Sequence, residues 1–221
     1  MIQRIVFVSA LLATGLAATA VADVTGGYYV GAEVAREHQV FRPHYDFAAG
    51  GTSADYLDKS DDGSIALRAG YGWRLSERVG LAAQLRLAHA GNDWALNTGE
   101  PAALSFRIPT SLAVGAVAHV EVLPRWYLKT EFALGKGQVH ETKSAPTASN
   151  YGFNEWVTHA AWAVGAGHAL SDRWSIDAEY RHARYDSFVH TSARPGSSAV
   201  VETIRDAPTV RDYALTLNYR F

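Results

Sequence analysis

The last nine residues, Tyr213-Ala-Leu-Thr-Leu-Asn-Tyr-Arg-Phe221, alternate without interruption. Tyr213, Leu215, Leu217, Tyr219 and Phe221 are large and apolar, whereas Ala214, Thr216, Asn218 and Arg220 are small or polar. Side chains of an extended chain point to opposite faces with period two, so this segment is a strand with one apolar face and one wet face. The same alternation recurs through the body of the chain, and it constrains the fold more than composition does.

The start of the chain reads differently. Met1-Ile-Gln-Arg4 is followed by an apolar run from Ile5 to Ala18, then by Ala20-Val21-Ala22 before Asp23. A short basic start, a short apolar core and an Ala-x-Ala site predict an export signal over residues 1–22, cleaved after Ala22. Residues 23–221 are then expected to form one domain. The chain has no cysteine, which excludes a disulfide framework despite export. Its net charge of −2 argues against nucleic acid as a partner. After the signal there is no apolar run of the roughly 20 residues a membrane helix needs.

A phrase repeats through the body. Leu75-Ser-Glu-Arg78, Leu123-Pro-Arg125 and Leu170-Ser-Asp-Arg173 each sit between alternating segments, as tight polar turns of β-hairpins. Eight strands follow: Gly26 to His38, Gly63 to Leu75, Val79 to Gly91, Arg107 to Val122, Trp126 to His140, Trp156 to Leu170, Trp174 to Asp186 and Val210 to Phe221. Gln39 to Asp62, Asn92 to Phe106, Glu141 to Glu155 and Ser187 to Thr209 remain as four long loops, rich in Gly, Ser, Asp, Asn and Pro. Short turns at one end and long loops at the other are the asymmetry of outer-membrane barrels.

One face of these strands carries Ile65, Leu67, Tyr71, Trp73, Leu81, Leu85, Leu87, Ile108, Leu112, Val114, Leu128, Phe132, Leu134, Trp162, Val164 and Ile176. The other mixes Gly and Ala with Glu33, Arg68, Arg86, Lys129, Glu131, Asp177, Glu179 and Arg181. A solvent face does not require so many small residues, whereas the narrow interior of an eight-stranded barrel does. The apolar face is therefore assigned to lipid and the charged face to the lumen. Unpaired buried charge is costly, so the eight lumen charges are expected to form ion pairs and plug the interior. Trp73, Trp126, Trp174, Tyr28, Tyr219 and Phe221 lie beside the tight turns or the termini. Trp94, Phe106, Trp156 and Tyr185 lie near the loop ends. Both sets match interfacial aromatic girdles.

Ala160-Ala-Trp-Ala-Val-Gly-Ala-Gly-His-Ala-Leu-Ser-Asp-Arg-Trp-Ser-Ile-Asp-Ala-Glu-Tyr-Arg181 resembles small outer-membrane barrels of the OmpA-like and opacity-porin type. The aromatic closing strand, Tyr213 to Phe221, resembles the assembly signal of such barrels. The resemblance implies an all-β, eight-stranded antiparallel transmembrane barrel with up-and-down meander topology. It also implies insertion by the outer-membrane assembly machinery, and contact with membrane lipid and lipopolysaccharide. Members serve in envelope integrity, adhesion or host contact; the periplasmic peptidoglycan-binding domain of larger relatives is not expected here.

Enzymatic and metal chemistry have weak signals. His190-Thr-Ser192 resembles the His-x-Ser spacing of outer-membrane lipid A deacylases, in which an Asn follows the serine and a Glu completes a lipid-facing triad. Here Ala193 follows, and Glu202 is the nearest downstream carboxylate. His38, His44, His89, His140, His159, His182 and His190 fall towards the loop end, without ligand-grade spacing for metal or haem. The expectation is a non-enzymatic, cofactor-free monomer with an envelope-structural and surface-recognition role, presented by loop aromatics Tyr45, Phe47, Tyr56, Trp94, Tyr151 and Phe153. The alternatives are a narrow pore for ions or small solutes and, behind it, a lipid A hydrolase.

Overall fold

Burial alternates residue by residue along the long strands, with one face open and the other closed. Over Val79–Ala90, for example, Leu81, Leu85 and Leu87 are exposed and Ala82, Gln84 and Arg86 are buried. The computed structural model describes residues 26–47, 53–55, 57–90, 103–145, 148–151, 154–193 and 200–221. The expected signal at 1–22 lies outside them. Thirteen strands form among the described residues: β1 Gly27–Phe41, β2 His44–Phe47, β3 Ser53–Asp55, β4 Asp58–Arg74, β5 Val79–Ala90, β6 Ala103–Leu123, β7 Trp126–Ala145, β8 Ala148–Tyr151, β9 Asn154–Ala169, β10 Trp174–Tyr185, β11 Phe188–Ala193, β12 Val200–Asp206 and β13 Thr209–Arg220.

Eight of them close a ring, β1-β4-β5-β6-β7-β9-β10-β13 and back to β1, with every pairing antiparallel. The register sets the tilt. A row of paired residues leaves β1 at His38 and passes Arg211, His182, Trp162, Phe132, Ala116, Ala83 and Tyr71. It re-enters β1 at Tyr28, ten residues nearer the N-terminus. With a rise of about 3.3 Å per residue and a strand spacing of about 4.8 Å, this stagger tilts the strands by roughly 41°. The same geometry gives a barrel radius of roughly 8 Å, room for side chains only.

The repeated turn phrase has a common structure. Ser76 Oγ accepts the Val79 N–H at 3.2 Å, and Leu75 N–H donates to Val79 O at 2.9 Å. Ser171 Oγ accepts the Trp174 N–H at 3.1 Å, and Leu170 N–H donates to Trp174 O at 2.8 Å. The β6–β7 turn is shorter, two residues, with Arg125 at φ 68.

Three expectations are corrected. The barrel strands run past their predicted ends: β1 reaches Phe41, β4 begins at Asp58, β6 begins at Ala103 and β7 reaches Ala145. Segments read as the first and fourth loops are largely strand. β2 and β3 from the first pair with β11 and β12 from the fourth as a second sheet, β11-β12-β2-β3. Finally, Ile108, Phe106 and Tyr185 do not face lipid but are buried inside. For Ile108 and Phe106 the cause is a register shift between Arg107 and Thr110, which reverses the parity of β6.

Candidate functional site

The lumen is filled in layers, and each layer follows from strand parity. At the middle level lie Glu33 on β1, Arg68 on β4, Arg86 on β5, Lys129 and Glu131 on β7, and Asp177, Glu179 and Arg181 on β10, all buried. Arg68 grips Glu179 through Nη1 to Oε1 at 2.7 Å and Nη2 to Oε2 at 2.8 Å, while its Nε donates to Glu33 Oε2 at 2.6 Å. Arg86 Nη2 donates to Glu33 Oε1 at 2.7 Å. Lys129 Nζ reaches Asp177 at 2.8 Å and also contacts Glu179. Arg181 lies between Glu179 at 3.2 Å, Glu131 at 3.4 Å and Glu33 at 3.4 Å. The structure thus brings together all eight predicted lumen charges.

Sequence reading missed further buried charges on this face, Glu37 on β1 and Asp62 on β4 among them, and one that joins the network. Asp212 on β13 is buried and stands 3.7 Å from Arg86 and 3.6 Å from Arg181. The parity of the closing strand, carried one step past Ala214, points to it. Two neutral partners were also missed: Tyr127 Oη donates to Asp177 Oδ1, and Asn218 Nδ2 donates to Asp177 Oδ2 at 3.1 Å.

The small lumen residues are the holes into which this layer fits. A Cβ on Gly70 would stand 2.5 Å from the Tyr29 ring, and one on Gly167 would collide with the Tyr127 ring and the Asp177 carboxylate. Tyr29 Oη in turn donates to Gln84 Oε1 at 3.0 Å on the side of the short turns. A cavity opens on either side of the charged layer, one bordered by Tyr29, Gln84, His119 and Tyr127, the other by Glu37, His159, Arg181 and Tyr185. The two share no lining residue.

Above the charges the filling becomes apolar. Phe41, Phe106, Ile108, Val139, Val157, Tyr185 and Val210 cluster inside the loop end of the barrel. Phe41 and Phe106 stack with centroids 5.3 Å apart. The second sheet closes over them as a cap. Its paired row His190, Ile204, Tyr45 presents Tyr45 and Ile204 to this cluster. The rows on either side, Val189-Arg205-His44-Asp55 and Thr191-Thr203-Asp46-Ser53, carry the polar outer face. There His44 Nδ1 lies 2.6 Å and its Nε2 3.2 Å from Asp55 and Asp46, and Arg205 pairs with Asp46 at 3.4 Å. The hydrogen bond with Asp55 is the main cause raising the His44 pKa above the ordinary imidazole value. Asp206 anchors the base of the cap by accepting the Arg42 N–H at 3.0 Å. Burial there raises its carboxyl pKa, although that hydrogen bond opposes the shift.

The predicted recognition residues fare unevenly. Tyr45 is 1% exposed, so it is a core residue of the cap and not a surface contact. The reason is the two-residue period of β2, which turns Tyr45 inward and its neighbours His44 and Asp46 outward. Tyr56, Trp94 and Phe153, with the side chains of Phe47 and Tyr151, lie outside the described part of the structure. So do the side chains of Ser192 and Glu202. His190 Nδ1 is 2.9 Å from Glu155 Oε1, and the register sets Ser192 opposite Glu202. No group of three His, Cys, Asp or Glu able to hold a metal occurs among the described residues. Trp156 is exposed at the loop end.

Outside, the wall is apolar. Leu67, Leu85, Val114, Phe132, Trp162, Val164 and Leu215 are all exposed on it. Tyr28 and Tyr71, Trp174 and Tyr219, and Tyr219 and Phe221 pack ring against ring at the turn end, at 4.8, 4.8 and 5.2 Å. An apolar wall, an aromatic rim and a charged interior define a small transmembrane barrel of the outer-membrane class.

The sequence matches the outer membrane protein beta-barrel domain family over residues 8–221, and the chain belongs to that family. Membership places it in the outer membrane of a Gram-negative bacterium. No curated protein sequence matches it. Among solved structures it is similar to Neisserial surface protein A, with 13% identity and a TM-score of 0.51, covering 89% of this chain and 99% of that one. It is also similar to OprG from Pseudomonas aeruginosa, with 9% identity, a TM-score of 0.50 and coverage of 89% and 98%. Likeness to Ail of Yersinia pestis is looser, with a TM-score of 0.39 at 13% identity over 82% of this chain and 97% of that one.

Proposed function

We propose that this protein is a non-conducting, non-enzymatic surface protein that presents its folded cap to extracellular partners while the barrel braces the envelope. The observation that carries this reading is the filling of the lumen. A layer of ion-paired, solvent-free charges and an apolar cluster beneath the cap stand in series along the axis. An ion crossing it must break pairs whose side chains are fully buried, and such a break is costly. Diffusive transport is therefore disfavoured, and the exposed chemistry lies on the cap. Its outer face offers Val189, 57% exposed, among Thr191, Thr203, Arg205, His44 and Asp46. That the first of the similar proteins is named a surface protein agrees with this reading.

Planar-bilayer recording tests it. The folded protein leaves the membrane silent on this reading, and steady, reproducible channels overturn it. Recognition is read separately, as adherence of cells displaying the protein to cultured epithelial monolayers. A Val189→Glu/Thr191→Lys variant that folds normally is expected to lose adherence. Equal adherence of that variant and the parent removes the cap as the binding surface.

A further inference from the structure

On one side of the barrel the apolar wall ends in a row of basic side chains, three arginines and a histidine. β1, β13 and β10 are neighbours, and their outward positions change character together. Val34 gives way to Arg36, Tyr213 to Arg211, and Tyr180 to His182 and then Arg184. Arg36 is paired in register with Tyr213, and Arg211 with both His38 and His182. At a tilt of roughly 41°, one residue climbs about 2.5 Å along the axis and each strand step shifts the level by about 3 Å. Arg36, His182, Arg184 and Arg211 then fall within about 5 Å of one height, roughly 20–25 Å above the aromatic rim at the turn end. That is the thickness of the apolar band of such barrels, so these groups stand where hydrocarbon ends and headgroups begin.

Carboxylates offset little of this charge. Arg36 is 77% exposed and its ion pair with Asp61 is stretched to 4.0 Å, with Asp61 also 2.9 Å from His38. Arg184 and Arg211 are exposed and form no ion pair among the described residues. Directly below, Val34, Tyr180, Tyr213 and Leu215 border a groove in the wall where Ala178 leaves it thin, with Arg36 at its upper end. Tyr180 and Tyr213 line it with rings 5.3 Å apart. A cationic rim over an apolar groove matches a phosphorylated headgroup above an acyl chain. Guanidinium forks suit phosphate oxygens. The cations span three strands, about 10 Å, more than one phosphate covers. This end of the barrel faces the outer leaflet, whose lipid is a bisphosphorylated, acylated disaccharide.

We propose that Arg36, Arg211, Arg184 and His182 bind the phosphates of lipid A, with one acyl chain seated in the groove over Ala178. The site is on the wall and not on the cap, so it stands or falls independently of the recognition reading. Native mass spectrometry of the detergent-solubilised, folded protein with added lipid A is the test. Arg36→Gln/Arg184→Gln/Arg211→Gln is expected to weaken lipid A binding roughly tenfold or more, and the single variant Arg211→Gln about threefold to fivefold. Lys136→Gln, on β7 across the barrel, is expected to bind as the parent does. Dephosphorylated lipid A should bind parent and triple variant alike. Undiminished lipid A binding by a folded triple variant overturns the proposal, as does parent protein that binds phosphatidylglycerol as tightly as lipid A. If the triple variant does not fold, the single variant decides on the same readout.

Discussion

Arg68 and Glu179 meet across the lumen, three strands apart in the ring, through two parallel hydrogen bonds of 2.7 and 2.8 Å with both side chains wholly buried. The pair is a cross-brace and an obstruction at once. Glu179 also holds Lys129 and Arg181, and Arg68 also holds Glu33, so neither charge has one partner alone.

Removing one side of this brace leaves buried charge uncompensated. Arg68→Met is expected to destabilise the barrel by about 3–5 kcal/mol. Urea unfolding from phospholipid vesicles measures it. Arg68→Met/Glu179→Gln is expected to cost less than the two single changes added together, because they share a network. A loss under about 1 kcal/mol for Arg68→Met would show that the layer relaxes or fills with water and is not structural.

The cap has a separate stability. Tyr45 sits over Ile204 and the apolar cluster, so Tyr45→Ala is expected to cost about 3 kcal/mol or more locally. The effect should appear as faster hydrogen exchange in β2, β11 and β12, with the exchange of β1, β9 and β13 unchanged. Bilayers should stay silent, because the charged layer below remains intact. Exchange that accelerates throughout the barrel instead would make cap and barrel one cooperative unit.

The cap also carries a pH dependence. His44 binds its proton more tightly in the folded cap than in the unfolded chain, because Asp55 and Asp46 accept hydrogen bonds from the imidazolium. The stabilisation is then fully present below about 6.5, the unfolded imidazole value, and is lost as pH rises through the higher folded value. Chemical-shift titration of His44 in micelles should give a pKa above that of a free imidazole, and Asp55→Asn should bring it down. A titration unchanged by Asp55→Asn would show that this contact does not set it.

Much of the barrel was legible because lipid enforces alternation on every strand that crosses it. That pattern identified the lipid face and the eight lumen charges without any knowledge of register. Individual pairs were not legible, since which residue faces which depends on a stagger of ten residues distributed around the ring. The β6 parity reversal was hidden because Ile108 is as apolar as a lipid-facing residue; only the pairing of Arg107 and Thr110 with β7 exposes it. The cap was illegible for a different reason. His44–Phe47 and Val200–Asp206 are short and lie more than 150 residues apart, so nothing local announces that they pair. Tyr45 looked like a loop aromatic for that reason alone.

The lipid face itself has a graded test. Leu215 is 53% exposed on β13, and the tilt places it roughly midway between the Trp174–Phe221 rim and the Arg36 level. An arginine there has no headgroup within reach and no lumen partner, since its side chain points away from Asp212 and Thr216. Leu215→Arg is expected to cost about 2–4 kcal/mol in vesicle unfolding, whereas Tyr213→Arg, one outward position nearer the cations, should cost less. The gradient is the informative quantity. Equal costs at both positions, or none at either, would mean that this wall is shielded by protein and does not contact hydrocarbon.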